Sequence, residues 1–150
     1  MKVFSKPVLQ TFGAWATLGA VLIAGPVTAG DTSRPDGASV YFINVKNGDT
    51  VASPVHLQFG LSGMGVAPAG VPNIPDTGHH HLIIDAELAG DALKLPVPAD
   101  EKHRHFGKGQ TEAKIELAPG EHTLQLVLGD WKHVPHIRPV MSERITITVK

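Results

Sequence analysis

Val55-His56-Leu57-Gln58-Phe59-Gly60-Leu61 alternates apolar with polar or small residues along its length, and this period of two decides the fold. Successive strand side chains point to opposite faces, so Leu57, Phe59 and Leu61 share a face that can be buried. Upstream, Ser39 to Val45 alternates as well and runs into Lys46-Asn47-Gly48-Asp49, a turn sequence. Downstream, a Gly/Pro-rich loop from Ser62 to Gly78 leads to a third strand, His79 to Asp85. A long connection, Ala86 to Gln110, contains Pro96 and Pro98 and is expected to hold a short edge strand at Leu93 to Val97. Thr111 to Leu117, His122 to Leu128 and Arg144 to Val149 complete the set, with Pro119-Gly120 as a tight corner.

About seven short strands at turn-punctuated spacing, with no convincing helical stretch, predict an all-β antiparallel β-sandwich of immunoglobulin-like or cupredoxin-like type over residues 39–150. Consecutive antiparallel strands alternate direction. The loop Ser62 to Gly78, the segment entering Thr111 and the loop Gly129 to Glu143 are therefore expected at one end.

The N-terminus reads differently. Lys2 and Lys6 precede a largely apolar, uncharged run from Val8 to Val27, and Val27-Thr28-Ala29 offers small residues for signal-peptidase cleavage. The most apolar part, Ala14 to Ala24, is short for a bilayer span and is followed by Gly25 and Pro26. The expected organisation is a signal peptide at 1–29, a polar linker at 30–38 and the sandwich. It implies a periplasmic or secreted protein without a membrane span in its mature form. Cysteine is absent, so there is no lipid attachment, disulfide or thiolate metal site. Loss of Lys2 and Lys6 with the leader lowers 13 basic residues to 11 against 14 acidic ones, which argues against nucleic acid as a partner.

Nine histidines stand out. Seven lie at or beside the shared end: His79, His80, His81, His103, His105, His133 and His136. Neutral imidazole is the commonest protein metal ligand, and strand ends can hold several nitrogens about 2 Å from one ion. His103 and His105 have the strand period, and His133 and His136 flank Pro135 on a loop. His56 and His122 belong to the opposite end and read as structural, His122 as a corner side chain bonding back to the backbone. Asp85, Glu112 and Asp130 are candidate acceptors for an imidazole N–H.

His133-Val134-Pro135-His136 followed by Met141 resembles the cupredoxin ligand loop Cys-x-Pro-His-x4-Met, and His80-His81-Leu82-Ile83-Ile84-Asp85 is similar to the strand that supplies the first cupredoxin histidine. The resemblance implies His80 as first ligand, His136 as second and Met141 as axial ligand. His133 stands in the cysteine's place, so a blue-copper centre is not implied. Over the whole domain, Thr77-Gly78-His79-His80-His81-Leu82-Ile83-Ile84-Asp85, His105-Phe106-Gly107-Lys108-Gly109-Gln110-Thr111-Glu112 and Leu128-Gly129-Asp130 with His133-Val134-Pro135-His136 resemble a family of exported bacterial β-sandwich domains of unknown function. That likeness implies a fold and no activity.

Imidazole without thiolate suits copper, with zinc as the alternative, and a thioether at Met141 favours copper. The expected function is metal binding, copper binding or handling above all, in the cell envelope. Two readings from other classes stand beside it. One is a non-catalytic envelope interaction module, whose histidines form a structural or pH-responsive surface for another envelope protein. The other is a zinc hydrolase with Glu112 or Asp85 as base. There is no HExxH and no nucleophile elbow, so the protein is not expected to be an enzyme.

Overall fold

The computed structural model describes residues 32–71 and 73–150. The expected signal peptide, Gly30 and Asp31 lie outside the described residues. Strands β1 (Ser39–Phe42), β2 (Thr50–Val51), β3 (Val55–Ser62), β4 (Gly65–Val66), β5 (Thr77–Ile84), β6 (His103–His105), β7 (Glu112–Ile115), β8 (Gly120–Gly129) and β9 (Ile145–Val149) form two sheets. One has the order β1-β3-β7. The other runs β2-β9-β8-β5, with β4 and β6 both on the free side of β5.

Alternation in β3 does what its sequence demands. Val55, Leu57 and Phe59 are buried, and β3 pairs antiparallel with β1 and β7. Leu82 and Ile84 of β5, Leu124, Leu126 and Leu128 of β8, and Ile145 and Ile147 of β9 meet this face from the larger sheet. The two apolar faces form one core, so the domain is an all-β sandwich. Two pairings are parallel rather than antiparallel: the two-residue strands β2 with β9 and β4 with β5.

The long connection departs from expectation. Leu93 to Val97 is not an edge strand; Gly90–Lys94 forms a 3-10 helix instead. Pro96 and Pro98 have no N–H to give a ladder, so this stretch pairs poorly. The edge position is taken by β6, whose His105, Arg104 and His103 stand opposite His81, Leu82 and Ile83. Leu88 and Val97 from the connection then fold over the outer face of the larger sheet and bury Ile83 and Val127. Ile83 completes the run Leu82-Ile83-Ile84, apolar on both faces, and a strand of that kind is buried on both sides. This second layer gives the outer face of β5 an interior of its own.

Before β1, Thr32 and Ser33 run beside Ile137, and Thr32 also donates to the Asp130 carboxylate at 3.2 Å. Arg138 pairs with Asp36 at 2.8 Å.

Candidate metal centre

β5 places His79 and His81 on the same face as Ile83, away from the main core, because they are four and two residues from it. That face would be solvated in a bare sheet. Covered by the connection and by the Gly129–Pro135 loop, it leaves His79 and His81 0% and 1% exposed. β5 pairs antiparallel with β8, so its first residues lie beside the end of β8: His79 stands opposite Gly129 and His81 opposite Val127. The loop that follows Gly129 therefore passes directly over both rings and brings His133 to them. β6 brings His105 opposite His81 from the other side.

The result is a cluster of four imidazoles. One ring nitrogen each from His79, His81, His105 and His133 lies within 4.8 Å of the others. Nε2 of His79 is 3.0 Å from Nε2 of His81 and 3.2 Å from Nδ1 of His133. The His105 ring stacks on that of His81, with centroids 5.0 Å apart, and meets the His133 ring edge-on at 4.7 Å. Two nitrogens each ~2.0–2.1 Å from a tetrahedral ion stand about 3.3 Å apart, and nitrogens opposite one another across an ion about 4.1 Å. The 3.0 and 3.2 Å pairs match neighbouring ligands of a single cation, and the four donors together, within 4.8 Å of one another, span slightly more than the separation one ion sets.

Two glycines make this approach possible. A Cβ at Gly129 would stand 2.9 Å from His81 Nε2 and 3.3 Å from the His133 carbonyl carbon. A Cβ at Gly107 would collide with the His105 ring. His133 itself has a φ of 69°, the left-handed region a non-glycine residue seldom adopts. Asp130 holds it there. Its Oδ1 accepts from the Lys132 N–H at 2.8 Å and the Val134 N–H at 3.0 Å, while its carbonyl accepts from the His133 N–H at 2.8 Å.

Burial, then the neighbouring rings of His105 and His133, lowers His79 from its ordinary 6.5 to about 4. Burial and the same neighbours, with His79 among them, push His81 down to about 2. Burial and His133 lower His105 as well. His79, His81 and His105 are therefore shifted toward the neutral form, the one that binds metal. With their Nε2 atoms turned inward, His79 and His81 direct Nδ1 to the far side, where among the described residues it has no protein partner.

Other histidines of the sequence pool lie elsewhere. His80 faces the main core, its ring centroid 5.3 Å from that of Phe59, with both nitrogens buried and unpartnered. His103 hydrogen-bonds Asp100 at 2.8 Å. His136 is buried beyond the loop, beside a small cavity it shares with Thr32 and Asp76. Met141 pairs with Val127 and packs on the apolar cluster under the long connection. The structure thus brings together His79 and His81 of the triplet, where the cupredoxin likeness implied His80.

Three further expectations concern polar partners. His122 is a corner residue: its Nε2 donates to the Ala118 carbonyl at 2.8 Å and its Nδ1 to Asp85 at 2.7 Å. Glu112 lies 3.4 Å from His56. Of the three carboxylates expected near the imidazoles, only Asp130 lies on the loop that covers them. The close approach made possible by Gly107 and Gly129 is the part of the site that a search for metal-ligating side chains does not find; Gly107 reads in the sequence as a tight-turn residue. Their signal is position, directly after His105-Phe106 and directly before Asp130.

The fold and this cluster define a class: a small β-sandwich domain with a partly buried all-imidazole site on the outer face of its larger sheet. A family model for a domain of unknown function (DUF4399) matches residues 57–150, and the chain belongs to that family. No curated protein and no solved structure matches the chain.

Proposed function

We propose that the protein binds a single transition-metal ion through His79, His81, His105 and His133, that the ion is copper, and that the domain handles copper in the cell envelope after removal of its leader. The observation that supports this reading is the convergence of four imidazole nitrogens from three separate chain segments on one point. Imidazoles with no cation between them leave lone pairs facing one another at 3.0–3.2 Å unless a shared proton intervenes, and a cation relieves every such contact at once. An all-nitrogen donor set binds Cu(II) ahead of Ni(II) and Zn(II) in the divalent series.

The interaction-module reading is less favoured. A pH-responsive surface needs imidazoles that titrate between about pH 5 and 8. Burial lowers His79 and His81 below that interval and takes both rings out of any such surface. A hydrolase would need a base beside the ion, yet Asp85 is engaged by His122 and Glu112 stands by His56. We therefore read the domain as a binder rather than a catalyst.

Isothermal titration of the metal-free protein with Cu(II), Cu(I) and Zn(II) tests the proposal. One equivalent of Cu(II), bound more tightly than Zn(II), is expected. Affinities no tighter than millimolar for all three ions would end it.

A further inference from the structure

The four ligands are not held alike. His79 and His81 sit on β5, flanked by β8 on one side and by β4 and β6 on the other, and both are almost completely buried. His105 is exposed and sits on β6, a three-residue strand with no neighbour on its outer side among the described residues. His133 is half-buried on a loop, at a left-handed backbone position. One half of the site is fixed to the sheet and the other half lines its solvent side.

From this asymmetry we propose that the centre is a transfer site, which passes its ion through the His105–His133 side to an incoming imidazole-bearing acceptor. The inference rests on the metal-binding reading above and adds the direction and manner of release. Ligand exchange proceeds most easily where an incoming donor can reach the ion as an outgoing one leaves. Only the outer pair meets that condition, because His79 and His81 are covered by the connection and the Gly129–Pro135 loop. The supporting groups point the same way. Structural and catalytic metal sites commonly anchor each histidine through its second nitrogen to a carboxylate or carbonyl, which strengthens the ligand. Here the second nitrogens of His79 and His81 hydrogen-bond no protein group among the described residues. Their orientation comes from packing against Gly129 and the neighbouring rings, which places the donors without strengthening them.

The experiment follows copper release from the Cu(II)-loaded full chain by its visible absorption, with free L-histidine as the acceptor at rising concentrations. A transfer site releases copper at a rate proportional to the L-histidine concentration. His105→Ala is expected to load one ion still and to release it at least tenfold faster at each concentration, whereas His81→Ala is expected not to load. A release rate independent of L-histidine concentration would overturn the proposal, since the ion would then leave only when the protein opens by itself. A His105→Ala chain that takes up no copper would overturn it too, by making the outer ligand indispensable. If the unmodified chain fails to load, the metal-binding reading itself falls, an outcome separate from the other two.

Discussion

Nε2 of His79 and Nε2 of His81 stand 3.0 Å apart on one face of a central strand, both almost completely shut away from solvent. Two buried nitrogens at that spacing either share a proton or share a cation. The ligand role of this pair can be read directly. His79→Ala and His81→Ala should each lower Cu(II) affinity at least a hundredfold in calorimetric titration, and His80→Ala, on the core face, should leave it within a few fold.

The approach of β8 to these rings depends on a missing side chain. Gly129→Ala sets a methyl 2.9 Å from His81 Nε2, against backbone that has little room to yield. Copper affinity should fall by tenfold or more in the same titration. The domain should stay folded by circular dichroism, because the ring can turn aside more easily than the sheet can part.

Asp130 should matter through the loop rather than through the ion. Asp130→Ala removes the acceptor for the Lys132 and Val134 N–H groups and releases His133 from its left-handed position. The Val134 N–H is buried and the Lys132 N–H partly so; a buried donor left without a partner costs about 1–3 kcal/mol and a partly solvated one less, so a fall in stability of about 2–4 kcal/mol in urea unfolding is expected. Copper affinity should fall with it.

Much of this arrangement was legible in the chain. The strand period in Val55 to Leu61 and the turn at Lys46 to Asp49 point to the sandwich, and alternation of strand direction points to a common end for His79, His80, His81, His103, His105, His133 and His136, of which four converge. The strand period, applied to His79 through Ile84, puts His79 and His81 on the face opposite Leu82. What it could not supply was the fate of that outward face. A period of two separates faces but does not say which is covered, and the cover comes from Leu88 and Val97, far along an irregular segment. Ile83, apolar on the outward face, was the available clue. His80 drew attention through its likeness to a cupredoxin ligand, a one-dimensional match that takes no account of what fills the space on each side of the strand.

At the opposite end, His122 gives the pH dependence of stability. The hydrogen bond to Asp85 raises His122 above 6.5 in the folded protein, so its contribution is complete below pH 6.5 and is lost as pH rises through the folded value. For Asp85, partial burial pulls upward, but the bonds from His122 and the Thr123 N–H outweigh it and hold the carboxyl below 3.8. Its contribution is present above pH 3.8 and fades as pH falls through the lower folded value. His122→Ala should therefore destabilise by about 1–2 kcal/mol between these limits and by less in alkaline solution, read from urea unfolding at several pH values.

X-ray absorption at the copper edge of the loaded protein reports the ligand set itself. Four nitrogen scatterers at about 2.0 Å, with the outer-shell pattern of imidazole rings, are expected from a site made by His79, His81, His105 and His133. A sulfur scatterer, or a shell of oxygens with one imidazole or none, would contradict a centre built from these four side chains.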